Sequence, residues 1–533
     1  MNAFTGTGGL VRLILRRDRV LMPIWILVIG LLPLSLTSGT AELYTTDEAR
    51  QGYINSLGTS PLLTMFYGTN PTEPSLGALM FWRAATGVVI IALIGLLVVI
   101  RHTRVEEEAG RRELIGSTVV GRHANLAAAL VAVSGAMLLT GVLVALGMMS
   151  QDTPADGAFA MGMAWAFAGI LFAAVGAVVA QLSEGAGAAR GIGIGILAVV
   201  WGMRAFADID ERVSWLSWVS PMGWIFQIKA YTANRWWIFA LLVVLVAALA
   251  ALAVSLSARR DLGAGLLPPS LGPAEAPASL RSPLALAWRL HRGTMIAWTV
   301  GLAVFGILIG AAAQVGAELV ADNEQLRQIM ERLGGVSAAG DIMLAGGFGL
   351  LAVAVAGYGI SAALKMRTEE ASLRSEPVLA TAVSRLGWAA SHVTFALLGP
   401  AVVMVAAGIG AGMMRGADTG NVGREIGRSV AGTLVQLPAI WVLVGLTVAA
   451  FGLLPRLSAA VGWVALSICL LLGQVGALLQ LSQTVLDISP FTHIPRVPGG
   501  DVSATPLVIL AGLAVVLIAV GFAGFRRRDI PVT

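Results

Sequence analysis

Two short runs of carboxylates and guanidiniums hold most of the chemistry this sequence offers. The first contains Arg104, Glu106, Glu107, Glu108, Arg111, Arg112 and Glu113 and runs on to Arg122. The second contains Arg367, Glu369, Glu370, Arg374 and Glu376 and runs on to Arg385. Arg104, Glu106, Glu107, Arg111, Glu113 and Arg122 each recur in the second run at one offset of 263 residues. Groups of both signs at this density serve recognition: they form charge-assisted, often bidentate pairs that fix a register and repel wrong surfaces. In one loop they would read as a solvated turn. Keeping this many positions in two internal copies favours a contact surface used twice.

Other chemistries lack their residues. Lysine occurs only at 229 and 365 and follows Ile228 and Leu364, so there is no Gly-Lys-Ser/Thr loop to hold a nucleotide phosphate. None of the five histidines begins a His-Glu-x-x-His pair, no cluster has metal-ligand spacing, and the lone Cys469 builds neither a disulfide nor a multi-cysteine site. No apolar run offers a nucleophile–base–acid set. The expectation is a chain with no catalytic residue, no metal and no cofactor of its own. Charges such as Arg83, Arg204 and Asp341 fall near the ends of apolar runs. Ion-coupled transport needs ionisable groups at depth, and their scarcity points to an energy source outside the membrane.

The elements that must position the two blocks are apolar helices. Of 533 residues, 57% are hydrophobic and 12% charged, against about 25% charged in soluble domains. Apolar runs near 20 residues recur throughout, long enough to cross a bilayer. The fold class is therefore an all-α polytopic membrane protein with about twelve transmembrane helices. The spans lie near 20–38, 79–100, 124–149, 158–181, 190–207 and 237–257, then 295–314, 342–364, 388–413, 429–452, 458–482 and 505–525. Basic residues distribute unequally: 23 of 35 fall on the side that carries both termini and both blocks. The positive-inside rule makes that side cytoplasmic and accounts for the net charge of +5 without nucleic acid. Val20 to Ser38, behind Arg12, Arg16, Arg17 and Arg19, reads as an uncleaved first helix.

The duplication runs beyond the blocks. Arg16, Arg19 and Trp25 match Arg289, Arg292 and Trp298 at an offset of 273, and Ser220-Pro221 matches Ser489-Pro490. Arg259-Arg260-Asp261 matches Arg527-Arg528-Asp529. Six spans return the chain to its starting side, so the halves are parallel repeats: residues 1–261, a Pro/Gly/Ala/Ser-rich cytoplasmic linker 262–283, and residues 284–533. Segments 10–19 and 284–292 read as basic surface helices. Leu326, Ile329, Met330 and Leu333 form a helical stripe in an outer loop. Trp215, Trp218, Trp224, Trp236 and Trp237 read as an interfacial belt, and the Gly191, Gly193, Gly195 stretch as a place of close helix approach.

The run Glu106-Glu107-Glu108-Ala-Gly110-Arg-Arg-Glu113-Leu114-Ile115-Gly-Ser-Thr118-Val-Val-Gly-Arg122 resembles the signature of type-2 ABC exporter permeases. Val119 stands where proline is common. The second copy departs further, with Leu373 in the glycine's place and Pro377 after Glu376. The fused double unit looks most like permeases that export polyketide antibiotics of the tetronasin type in actinobacteria. The resemblance implies a permease in the bacterial cytoplasmic (inner) membrane that moves hydrophobic, drug-like or lipid-like compounds outward. It implies two copies of a separate ATP-binding subunit, with ATP and magnesium held there. Glu106, Glu107, Arg111, Glu113 and Arg122 would couple to one copy, and Glu369, Glu370, Arg374, Glu376 and Arg385 to the other.

The resemblance also implies a substrate path lined by the second and fifth spans of each unit. Phe81, Trp82, Thr86, Trp201, Met203, Phe348, Gln474 and Gln480 are its candidate lining; for each aromatic or Met taken singly, lipid contact or helix packing is the favoured reading. A proton-coupled antiporter of the major facilitator kind is the main rival. It shares the twelve-span parallel design and a Gly-Arg-Arg element like Gly110-Arg111-Arg112, but it needs a buried coupling carboxylate. A non-transporting membrane enzyme or scaffold is the third reading.

Overall fold

A backbone placed in lipid must satisfy its own N–H and C=O groups, and for runs this apolar the helix does so within one segment. The computed structural model describes residues 2–56, 64, 66–209, 211–261, 263–267, 275–321, 337–475, 482–500 and 503–529. Among them the regular structure is helical, without a strand. Among the described residues eleven helices are long and apolar enough to cross a membrane, and a shorter apolar helix stands where the fifth span of the second half is expected. The chain divides into two compact units, Met1–Gly272 and Pro273–Thr533. The outer-loop stripe from Leu326 to Leu333, the end of the 458–482 span and part of the linker lie outside the described residues.

In the first unit the helices that matter are α1 (Thr7–Arg17), α2 (Leu21–Leu43), α3 (Leu76–Arg83), α4 (Ala85–Ile100), α5 (Arg111–Gly116), α6 (Ala124–Met149), α7 (Ala155–Leu182), α8 (Ala186–Ile209) and α9 (Trp237–Ala258). The central helix is α7, packed against α4, α6, α8 and α9. Helices in lipid gain no hydrophobic drive from meeting one another, so small residues that let backbones approach carry the packing. Gly141 of α6 and Gly162 of α7 are such a pair: a Cβ on either would overlap the other's carbonyl oxygen. The expected close approach at Gly191, Gly193 and Gly195 is met only at Gly193, which lies on Leu96; the other two face open space. Large side chains such as Val28, Val131 and Val244 point outward, as a lipid-facing surface requires.

The second unit comprises α10 (Pro283–Ala321), α11 (Ser337–Ala363), α12 (Lys365–Ala371), α13 (Ser375–Leu379), α14 (Arg385–Thr419), α15 (Val422–Leu434), α16 (Leu437–Leu453), α17 (Ser458–Val475) and α18 (Ala504–Arg527). Here α16 packs on α18, as α7 does on α9, and Gly452 and Gly521 meet backbone to backbone. The two basic surface helices differ. The first is separate, because the chain breaks over residues 18–20 before α2. The second is continuous with its span in the 39-residue α10. Pro23 explains the break: it has no N–H to give to the carbonyl four residues earlier, and its ring crowds that carbonyl. At the 273 offset stands Ile296, which propagates the helix.

Both charged blocks take one shape. The chain leaves α4 through a widened turn, Arg101–Val105, then a single helical turn, Glu106–Glu108. Gly110 turns left-handed at φ +69° and α5 follows. In the second unit α12 carries the glutamates, Leu373 takes φ +59°, and α13 follows. The glycine's conformation is thus kept where the glycine is lost. A side chain in that region costs about 1–2 kcal/mol.

Candidate functional site

The blocks are held by the ends of helices far away in sequence. Glu107, 4% exposed, accepts two hydrogen bonds from Arg260 (2.6 and 2.8 Å), one from Arg112 (3.0 Å) and one from the Gly263 amide (2.8 Å). Arg104 stands 3.3 Å away. Glu370, 8% exposed, accepts two bonds of 2.6 Å from Arg528. Arg260 and Arg528 are the middle residues of the two closing Arg-Arg-Asp triplets, immediately beyond α9 and α18. The arginine just beyond the last helix of each unit therefore grips the second glutamate of that unit's block.

Three further contacts repeat. Arg111 donates two hydrogen bonds to Glu106 (2.7 and 3.0 Å), and Arg374 two to Glu369 (2.9 and 3.0 Å). Arg122 donates to the Ala258 carbonyl at the end of α9 (2.8 Å), and Arg385 to the Arg528 carbonyl beyond α18 (3.0 Å). Cations at helix C-termini meet both the orphan carbonyls and the negative dipole end. Arg104 reaches the Glu184 carbonyl just before α8 (2.6 Å), and Arg367 reaches the Pro455 carbonyl just before α17. In the first unit Glu108 adds a bond from the Ala186 amide that opens α8 (2.6 Å). Each block is thus bolted to the start of its fifth helix and the end of its last one.

Eight of the ten block residues expected to meet a partner are engaged inside their own unit. Glu106 is also met by Arg17 of α1, and Glu369 by Lys365 at 3.7 Å. Buried glutamates so matched cannot offer their carboxylates outward. Glu113 and Glu376 are the two exceptions: Glu113 is exposed on α5, and no ion pair reaches it among the described residues. Beside it Leu114 and Val119 are each 73% exposed. Glu376 is half-buried, with one carboxylate oxygen enclosed and unbonded. Glu106 raises the pKa of Arg111 through their hydrogen bonds, and Glu369 does the same for Arg374. Burial lowers that of Arg112 against the pull of Glu107. Burial, then Arg122 and Arg112, lower that of His123, whose ring is 2.9 Å from Ser257 of α9.

At the opposite end of the first unit is a cavity of about 130 Å³ lined by Tyr67, Phe81, Trp82, Asp208, Phe226 and Lys229 among others. Trp82 donates to the Gly68 carbonyl (3.0 Å). Arg204 is fully buried, pairs with Asp208 (2.7 Å) and lies over the rings of Trp201 (4.6 Å) and Phe226 (4.1 Å). Of the expected path residues, Phe81 and Trp82 therefore share this cavity and Trp201 stands behind its Phe226 wall (5.8 Å). Thr86 and Met203 are half-buried elsewhere on α4 and α8. Phe348 is fully enclosed in the second unit's core. Gln474 lies in α17, and Gln480 is outside the described residues.

A duplicated, internally clasped block between apolar helices is what the first half shares with the second. A model of the C-terminal domain of the multidrug efflux system permease Rv1217c matches residues 280–526. The multidrug efflux system permease protein Rv1217c of Mycobacterium tuberculosis is 41% identical over 531 residues, covering 99% of this chain and 96% of that protein. The chain belongs to this multidrug efflux permease family. The antiporter reading requires a deep carboxylate. The buried acids among the described residues of this permease are Asp18, Glu107, Asp341, Glu369, Glu370 and Glu425. Each lies near the end of a helix or in a connecting block.

The blocks and the closing triplets are each legible in the sequence, but their junction is not. Each member of the Glu107–Arg260 and Glu370–Arg528 pairs is duplicated. Charges kept in both copies beside apolar helices need a counter-charge, and the duplicated triplets are the available one.

Proposed function

We propose that this permease is the membrane-spanning subunit of an ATP-driven exporter of hydrophobic or amphipathic compounds, antibiotics and drugs among them. The observation that carries it is the duplicated block, rigidly clasped, with an exposed tip. Two copies of a separate ATP-binding subunit, which hold ATP and magnesium, dock on the two blocks from the cytoplasm of a bacterial cell. The fused double-unit form and the likeness to tetronasin-type exporters belong to this reading. So does the placing of both termini inside the cell, for which the unequal basic residues argue.

On this reading the tips, not the buried glutamates, meet the motor. On α5 the tip offers Arg111, Glu113 and Leu114. The second offers Arg374 and, at the positions matching Leu114 and Val119, Pro377 and Ala382. Closure of the motor pushes the blocks and the helices to which they are bolted. Bulky amphipathic cargo then passes along the second and fifth helices, where aromatic walls such as Phe81 and Trp82 suit an apolar body with few polar handles.

Coexpression of the full chain with each ABC ATP-binding subunit of the same genome, followed by native mass spectrometry, tests the reading. The expected species is one permease with two ATPases. Absence of any complex, with both proteins folded, overturns it.

A further inference from the structure

We infer that Arg260 and Arg528 are positioning residues that carry motion from the charged blocks to the last helix of each unit. The inference rests on the proposed function, because it supposes that a docked motor moves the blocks. The structure supplies the linkage. A push on a loop reaches a helix only through contacts too stiff to yield, and solvated ion pairs yield easily because water replaces them. These pairs are enclosed: Glu107 and Arg260 are each 4% exposed, and Glu370 and Arg528 are 8% and 14% exposed. Both are bidentate, a geometry that resists rotation as well as separation.

Each clasp has a second point of attachment. Arg122 holds the α9 carbonyls two residues before Arg260, and Arg385 holds the carbonyl of Arg528 itself. Two bonds from two points of one block prevent the helix end from pivoting. Arg528 also lies over the rings of Phe451 (4.9 Å) and Phe525 (5.1 Å), and Phe451 belongs to α16, the buried partner of α18. Arg260 likewise bonds the Gln181 side chain at the end of α7 (2.8 Å), the buried partner of α9. In both units, then, the closing arginine joins three bodies: the block, the last helix and the central fourth helix. The two copies reach the central helix by different chemistry, an amide in one and an aromatic ring in the other. Such a join, kept while its parts changed, points to the join itself as the selected feature.

Spin-label distances in the second unit test this, in the full chain assembled with its ATPase and with Cys469→Ala as background. One label pair, Val422→Cys with Arg527→Cys, reports the inner end of α18. The other, Val422→Cys with Thr381→Cys, reports the block. ATP with vanadate is expected to shift both distances in the parent protein. Glu370→Gln keeps the shape of the side chain and removes its charge; it is expected to leave the block's shift intact and reduce that of α18 at least twofold. Arg528→Lys, which keeps the charge and loses the fork, is expected to fall between. An α18 that does not move in the parent, or that moves fully in both variants, overturns the inference while leaving the exporter reading in place. Loss of the ATPase from the Glu370→Gln complex overturns it as well, since the residue would then serve docking. A parent chain that binds no ATPase refutes the exporter reading instead.

Discussion

Removing Glu107 should harm this protein more than removing Glu370, although the two occupy equivalent positions. Glu107 faces three guanidiniums, from Arg260, Arg112 and Arg104, within 3.3 Å and also takes the Gly263 amide. Glu107→Ala leaves those cations crowded together with no counter-charge. Breaking a buried pair by removing one partner costs about 3–5 kcal/mol, and the surplus of positive charge puts this site at the top of that range. Glu370 faces Arg528 at close range, and Arg528 keeps its stack on Phe451 and Phe525 after the carboxylate is gone. Its loss should sit at the bottom of the range. At about 2 °C per kcal/mol for units of this size, Glu107→Ala should lower the melting temperature by roughly 8–10 °C and Glu370→Ala by roughly 6 °C or less. The assay is tryptophan-fluorescence melting of the purified chain in one detergent. Hydrogen exchange localises the effect: in Glu107→Ala the amides of residues 263–267, which the clasp holds against the unit, should lose protection. A Glu107→Ala protein that melts within 2 °C of the parent, or of Glu370→Ala, would refute the account of the clasp.

Three further outcomes follow from particular contacts. Gly110→Ala should cost about 1 kcal/mol by placing a side chain in the left-handed region, and Leu373→Gly should gain up to about 1 kcal/mol by relieving one; equal and opposite melting shifts check both. Leu114→Asp should weaken ATPase binding roughly 10-fold or more without lowering the melting temperature, because burying a leucine is worth about 1.5–3 kcal/mol; the matching change at Pro377 should do less, and titration of the ATPase against each variant decides. Tyr231 packs against Gly77 and Gly157, bonds Thr153 (3.1 Å), and has its phenol pushed up to about 12 by burial. A raised acid pKa favours the neutral form in the fold, so its contribution is complete below pH 10 and lost as pH rises from 10 to 12; Tyr231→Phe should abolish that alkaline loss, and melting curves across the interval measure it.

Much of this architecture was legible because lipid and duplication both leave simple marks. Apolar runs of bilayer length gave the helices, and a constant offset marked the two charged blocks. Helix breaks were less legible. Pro23 separates the first basic segment from its span, whereas Ile296 lets the second run on into its span, and the basic pattern of the two segments is the same. The clasp was the least legible feature. Glu107 and Arg260 are 153 residues apart, and no helical period relates residues on different helices. Composition placed charges beside the membrane but could not say whether they faced outward or each other. The burial of Phe348 was hidden for the same reason: an aromatic on a span looks alike whether it lines a path or fills a core.

The places where the two units disagree carry as much information as the places where they match. In the first, Asp18 joins the end of α1 to His102 (2.7 Å) and Arg101 (2.9 Å) beside the block. At the 273 offset Asp18 becomes His291, and at the 263 offset His102 becomes Lys365 and Ala129 becomes His392. His291 and His392 then bond to each other at 3.0 Å, both buried. A carboxylate–imidazole pair that ties the end of α1 to the end of α4 has given way to an imidazole–imidazole pair that ties α10 to α14. Such an exchange is tolerated where the requirement is only that two helices stay attached, because either pair satisfies the buried polar groups. No such exchange has happened at Glu107–Arg260 or Glu370–Arg528, where the same carboxylate meets the same guanidinium in both copies. Attachment alone does not demand that identity. Transmission of force along a fixed direction does, since a bidentate fork fixes direction and a single imidazole contact does not.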